Sequence, residues 1–346
     1  MGFKSQYNMK IFLTGHKGYV GNVLSKMLLE ENFDVVGCDL EYFPQNFIEN
    51  DVSNVRTIRK DIRNLTRDDL KDCSAVIHLA ALSNDPMGEM NPTLTNDINF
   101  LATVKLAEIA KEAGVNRFVF SSSCSTYGAN DDAVNEQSSL NPLTAYAKSK
   151  VDSEKALSKL KGDGFSPVIL RSATAYGISS SMRVDLVVNN LVCAALTTGK
   201  VKLLSDGTSW RPLLHVEDMS NAFITCLKQS EDKVSGEIFN VGSNEDNYTV
   251  REIAEKVEKI VPNSTIEYSK TASKDSRSYR VNFDKITNQI GFKTKWNLDD
   301  AIRQIYETMK EKQISEKDLN DKKFHRVKYL KYLVENNILN SNLELK

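Results

Sequence analysis

Short apolar, β-branched runs at residues 10–14, 35–38, 75–79, 117–121 and 167–171 alternate with longer stretches, 20–30, 101–113 and 146–160, whose apolar residues recur every three or four positions. A run of four or five residues that is apolar on both sides must be covered on two faces, and the helical stretches between the runs are the elements available to cover it. This alternation predicts an α/β chain built on a parallel sheet with helices on both faces. With 346 residues, 40% of them hydrophobic, there is enough chain for one large domain and an appended lobe.

Immediately after the first predicted strand stand Thr14, Gly15, His16, Lys17, Gly18, Tyr19, Val20 and Gly21, followed by an apolar helix. Glycines at such a strand-to-helix turn permit tight reversal, close approach of the backbone to a pyrophosphate, and packing of helix on strand. Asp39 follows about twenty residues on, at the end of the second predicted strand, where a carboxylate accepts the ribose hydroxyls of NAD and repels a 2'-phosphate. Leu40 and Glu41 supply no compensating Arg, so the reading is a Rossmann-type, doubly wound sheet that binds NAD in preference to NADP.

The fifth predicted strand runs into Ser121, Ser122, Ser123, Cys124 and Ser125, at the carboxyl edge where open α/β sheets bind ligands. About twenty residues later Tyr146 and Lys150 lie one helical turn apart on the same face. An ammonium beside a phenol favours phenolate, and a phenolate is a general base for an alcohol. Ser123, Tyr146 and Lys150 are therefore the candidate catalytic set, with Cys124 and Ser125 as possible modulators.

With these pieces in this order, the chain resembles the NAD-dependent nucleotide-sugar epimerase/dehydratase family, the extended short-chain dehydrogenases related to UDP-galactose 4-epimerase, from Lys10 to about Tyr306. Its motifs are the glycine loop, Asp61-Ile62, His78-Leu79-Ala80-Ala81, Asn99, the Ser123 region, and Tyr146 with Lys150. The resemblance implies adenine contact by Asp61 and Ile62, and further cofactor contacts from Leu79, Ala80, Ala81, Asn99 and Ser121. It implies a nucleotide-diphosphate sugar as substrate, met by Ser83, Thr174, Arg183, Asn189, Arg211 and Arg277, with the two last arginines on the diphosphate. Thr174 stands where the epimerases usually carry a substrate-binding Asn, and Met182–Asn189 is similar to a segment of sugar-nucleotide oxidising enzymes, including heptose 4-dehydrogenases. A homodimer through the helices at 101–113 and 146–160 is also implied.

The expected domains follow from this. Residues 9–177 form the NAD-binding part, with 213–242, read as a helix and a buried strand, returning to it. Residues 178–212 and 243–310 form a smaller α/β lobe for the nucleotide sugar, and 311–346 a helical extension. In that extension Ser315 and Asp318 give a start signal, and Phe324, Val327, Leu330, Leu333 and Val334 share a face that must pack on something.

The 4,6-dehydratases of the family carry a Glu base where this chain has Ser125, so elimination of water is disfavoured. Oxidation at carbon 4 remains, and the reading adopted is a nucleotide-sugar epimerase serving surface-polysaccharide or glycan precursor synthesis. The alternatives are a 4-dehydrogenase, a 4-keto reductase, and, from another class, a non-catalytic NAD-binding scaffold or sensor.

Composition excludes other classes. Lys and Arg number 45 against 46 Asp and Glu, which leaves no field to gather nucleic acid or an anionic membrane. The five cysteines contain no Cys-x-x-Cys and the four histidines no His-x-x-x-His, so neither a disulfide framework nor a metal site is expected. No apolar run approaches a membrane span and residues 1–8 lack the apolar centre of a secretion signal, so a cytoplasmic location is expected.

Overall fold

A strand apolar on both sides needs two covers, and β1 (Lys10–Thr14) finds them: Ile11, Phe12 and Leu13 are fully buried. Ile11 and Leu13 join one cluster with Leu24, Leu28, Met219 and Phe223, while Phe12 joins another with Val76, Leu106, Phe118 and Leu157. The pleat thus sends alternate side chains of one strand into two cores, one on each side of the sheet. The computed structural model describes residues 9–44, 47–48, 55–273 and 278–346, without the side chains of 204 and 269–273.

The remaining strands of the main sheet are β2 (Asp34–Cys38), β3 (Arg56–Ile58), β4 (Ala75–His78), β5 (Arg117–Ser123), β6 (Ser166–Ser172) and β7 (Ile238–Val241). All seven run parallel in the order β7-β6-β5-β4-β1-β2-β3. The order reverses between β1 and β4, and a crevice opens at the carboxyl ends of strands where it does so. This is the doubly wound Rossmann architecture that the alternation of the sequence predicts. The short edge strand β3 has no periodic signal, being largely exposed and carrying a single partly buried Ile58, so pattern reading passes over it.

Helices α1 (Tyr19–Glu30), α2 (Ala102–Glu112) and α3 (Ala145–Lys159) occupy the predicted stretches. The next is α4 (Val187–Thr198), and then one expectation needs correction: residues 213–215 are not helical but end a strand, Trp210–His215, and α5 (Val216–Lys228) starts after it. The imidazole of His215 makes the switch, its Nδ1 accepting the Glu217 N–H at 3.3 Å. The strand lies between Thr174–Tyr176, parallel, and Asn247–Thr249, antiparallel. Helices α6 (Val250–Ile260) and α7 (Leu298–Glu311) pack with α4 around a core of Val188, Leu191, Leu213, Ile253, Ile302 and Ile305. The tail ends in α8 (Arg326–Glu335), whose Leu330 and Leu333 pack with Leu82, Met87 and Leu94.

Between α3 and the sheet lies a buried ion pair. Arg171 on β6 donates to Glu154 on α3 through Nη2 at 2.6 Å and through Nε at 3.1 Å, and Ser122 on β5 donates to the same carboxylate. Arg171 Nη1 reaches the Tyr127 hydroxyl at 2.9 Å, which donates to Asn240 on β7 at 2.7 Å. Glu154 and Arg171 are each 3% exposed, so a lone survivor would be an uncompensated charge in a dry interior. Glu154→Ala should therefore lower unfolding free energy by about 3–5 kcal/mol, while Glu154→Leu with Arg171→Met should cost far less than the sum of the single changes. Chemical denaturation of the three variants checks this, and additive losses would show that the pair is not coupled.

Candidate active site

The glycine loop is shaped by close approach. Gly15 holds φ +72, where a side chain is strained, and a Cβ on it would stand 2.9 Å from the Ala80 nitrogen. A Cβ on Gly21 would fall 2.0 Å from the Gly15 oxygen, so the first turn of α1 closes on the loop only because that residue is glycine. Gly18 caps α1 with no side-chain bond, which leaves the backbone N–H groups of the helix start as an anion site. Asp39 sits opposite, its carboxylate accepting the Lys17 N–H at 3.1 Å and the Glu41 N–H at 2.7 Å. Burial raises its pKa above the ordinary carboxylate value, with these two bonds opposing.

His78 fixes the end of β4. Thr103 gives its proton to the Asn99 carbonyl at 2.7 Å, so it must accept from His78 Nε2, 2.8 Å away. The other ring nitrogen then accepts from Thr14, 2.7 Å away, and the Thr14 oxygen in turn receives the Ala80 N–H at 3.2 Å. This chain needs a neutral ring, and burial, with Lys150 adding, pulls the imidazole down to about 3. Asn99 does not line the cavity described below; its amide clamps Leu82, accepting the N–H at 2.8 Å and donating to the carbonyl at 3.1 Å, and also reaches Ser149 on α3. It shapes the wall instead of forming it. Asp61 does line the cavity, with its carboxylate gripped by Arg63 at 2.7 Å, beside Ile62.

Ser123, Tyr146 and Lys150 come together on one wall. Thr144 starts α3 by accepting the Ala147 N–H at 3.1 Å, while its own hydroxyl donates to Asp85 at 2.6 Å. Two residues further along, Tyr146 shares the cavity wall with Ser123. Lys150 Nζ lies 5.6 Å from the centre of the Tyr146 ring and donates to the Ser121 carbonyl at 2.7 Å. Burial pulls this ammonium down to about 7, with Glu154 acting the other way. The expected lowering of the phenol is not what the surroundings produce. Burial and then the Asp85 charge push Tyr146 up, and the Ser123 hydroxyl and Arg183 only partly oppose them. Because Tyr146 keeps some exposure to the cavity, solvent there moderates the upward push.

Of the two possible modulators, Ser125 lines the cavity and Cys124 does not. The Cys124 thiol donates to the Arg171 carbonyl at 3.1 Å within the core, and burial raises its pKa, so it is an inert thiol turned from the site.

Ser83, Thr174, Arg183 and Arg211 line the same cavity. Arg183 forms a two-pronged pair with Asp185, at 2.8 and 3.0 Å. Asn189 is fully buried and off the cavity: its amide accepts the Gly177 N–H at 3.0 Å and donates to the Arg183 carbonyl at 2.8 Å, holding the 177–189 turn in shape. Arg277 lies outside the described residues. Sequence reasoning missed Asp85, Tyr42, Phe43 and, from the tail, Arg326, Leu330 and Leu343, all on the cavity wall. Of these, the apolar face of the tail pointed to Leu330 alone.

The cavity has a volume of about 540 Å³ and stretches from the glycine loop and Asp39 past Ala80 and Ala81 to Tyr146, Thr174 and Arg211. It falls within the roughly 300–1,000 Å³ range of small-molecule sites. Among the described residues no His, Cys, Asp and Glu cluster could hold a metal ion, and no helix is long and apolar enough to cross a membrane. A glycine turn at a helix start, a carboxylate at the next strand end and a Ser-Tyr-Lys wall make up one chemical unit: a dinucleotide cradle facing a group able to move a proton on an alcohol.

Known proteins resemble this chain over most of its length. The chain is 28% identical over 321 residues to a UDP-glucose 4-epimerase of Lactobacillus helveticus, covering 85% of this chain and 95% of the relative. It is 25% identical over 316 residues to a UDP-glucuronate 4-epimerase of Thermodesulfobacterium geofontis, covering 86% and 95%. Among solved structures it is similar to MoeE5 in complex with UDP-glucuronic acid and NAD, with a TM-score of 0.78, 27% identity, and 88% and 99% of the two chains covered. Residues 11–242 match the model of the NAD dependent epimerase/dehydratase family. The chain belongs to that family, and is an NAD-dependent enzyme of the extended short-chain dehydrogenase type.

Proposed function

We propose that this protein is a nucleotide-sugar 4-epimerase, oxidising carbon 4 of a nucleotide-diphosphate sugar and returning hydride to the opposite face. One observation carries the reading: Tyr146, Ser123 and Lys150, the last one helical turn from the tyrosine and buried, stand together on the wall of the cavity that the glycine loop closes. The relatives named 4-epimerases support it. So does the core position of Cys124 and the lack of a Glu at residue 124 or 125, which leaves no second base there for elimination.

In this reading Gly15, Lys17, Gly18, Tyr19, Val20 and Gly21 cradle the dinucleotide diphosphate, and Asp39 takes the adenosine ribose. Asp61, Ile62, Leu79, Ala80, Ala81 and Ser121 line the rest of its path, while Asn99 shapes that path through Leu82. Bound NAD supplies the hydride acceptor and, in the second half-reaction, the donor. Tyr146 takes the proton of the carbon-4 hydroxyl, Ser123 shares that proton, and Tyr146 gives it back once the sugar has turned. Lys150 steadies the phenolate by its charge. Arg183 and Arg211 face the sugar nucleotide from the lobe formed by 178–212 and 243–310, and Ser83 and Thr174 face it from the NAD-binding part. Two copies pair through α2 and α3, and the product serves glycan precursor synthesis.

Three outcomes test this. UDP-glucose and UDP-glucuronic acid, offered with a trace of NAD, should give the carbon-4 epimer by proton NMR with flat absorbance at the NADH band; NADH accumulating in step with product would mean a dehydrogenase. Tyr146→Phe should cut kcat about 100- to 10,000-fold while NAD affinity, read by calorimetry, stays within about threefold. Asp85→Asn should move the acid limb of the kcat profile to lower pH. The negative charge of Asp85 raises the phenol, so removing it lowers the pKa and leaves more base form at any pH below it, while the amide oxygen can still accept from Thr144. An acid limb that stays in place would remove Tyr146 as its source.

A further inference from the structure

Arg326, the first residue of α8, is 3% exposed and lines the cavity, yet it has no carboxylate partner within ion-pair distance among the described residues. Its guanidinium lies 4.1 Å over the Phe43 ring. Nη2 donates to the Ser181 carbonyl at 2.9 Å and the Ser181 hydroxyl at 2.7 Å, while Nη1 is buried with no hydrogen-bond partner. The charges acting on it are Arg183, Asp185 and Asp39; Arg183 is already held by Asp185, and Asp39 by two backbone N–H groups. A buried cation with a spare donor is stable only beside an anion, and a planar guanidinium suits phosphate oxygens.

The rest of the tail places that cation. Tyr42 donates to the Leu343 carbonyl at 2.6 Å, Arg63 to the Asn342 carbonyl at 3.0 Å, and Leu330 and Leu333 pack on Leu82 and Met87. The tail therefore lies across the cavity from the Asp61–Arg63 end to the loop after β4, and brings Arg326 to the half that holds Asp39, Tyr19 and Phe43.

We infer that Arg326 is a diphosphate ligand of the bound dinucleotide, and that residues 311–346 are a strap that holds the cofactor in place. Arg326 adds a second positive charge to that of Lys17 in the glycine loop, and its spare Nη1 donor completes the cradle. This depends only on the cavity taking a dinucleotide, and is independent of whether epimerisation follows.

Full-length protein freed of nucleotide, with Arg326→Gln and Arg326→Lys, tests it by calorimetry with NAD, ADP, adenosine and UDP; adenosine is read by competition. Arg326→Gln should weaken NAD and ADP alike, by about 10- to 100-fold, and leave adenosine and UDP within about twofold. An equal loss for adenosine would make Arg326 only a prop for the tail. A loss confined to UDP would assign it to the sugar nucleotide, and no loss would remove it from the site; each overturns the inference. If limited proteolysis shows that Arg326→Gln frees the tail, Arg326→Lys decides: ADP binding at least about tenfold tighter than in the Gln variant supports the inference, and equal weakness overturns it.

Discussion

The carboxylate of Glu154 is the point on which the wall of Ser123, Tyr146 and Lys150 hangs. It lies one helical turn beyond Lys150, and through Arg171 and Ser122 it ties α3 to β6 and β5 at once. Tyr146 and Lys150 ride on that helix, and Ser123 ends the strand that Ser122 belongs to. A residue that does not line the cavity thus sets where the Tyr146 phenol stands against Ser123. A buried pair of this kind is a poor source of net stability, since its desolvation offsets much of its attraction. What it contributes is one permitted placement of the helix on the sheet.

The site works against its own burial. Dry walls and Asp85 keep the Tyr146 phenol protonated, and the same dryness pulls Lys150 down to about 7. Neither group holds its reactive charge through isolation alone, and each depends on neighbours: Ser123 and Arg183 for the phenol, Glu154 for the amine. The cationic nicotinamide ring of a bound NAD would add to the same side of the balance for the phenol.

Much of this is legible in the residues. The sheet is, because a strand such as Ile11-Phe12-Leu13 can be apolar at every position only if both faces are covered. The glycine loop is too, because close backbone approach leaves no substitute for Gly15 and Gly21. Direction is harder to read: Cys124 and Ser125 are neighbours in a polar run, and only the fold turns one toward Arg171 and the other toward the cavity. Asn189 looks like a ligand until the Gly177 turn is seen to use its whole amide. The strand at 210–215 resists reading because its last residues and the following helix share one continuous apolar pattern. The tail shows an apolar face but no partner for it, since amphipathicity says that a helix docks and not where.

One contact of the tail reaches further than its own packing. The Phe324 carbonyl accepts the Val184 N–H at 3.2 Å, and Arg326 holds Ser181, so the same short stretch of chain is fastened to the turn that carries Arg183 and Asp185. The two halves of the cavity are therefore mechanically joined from outside the sheet. Any rearrangement of the 181–185 turn pulls on the latch at the dinucleotide end, so the two compartments cannot loosen independently.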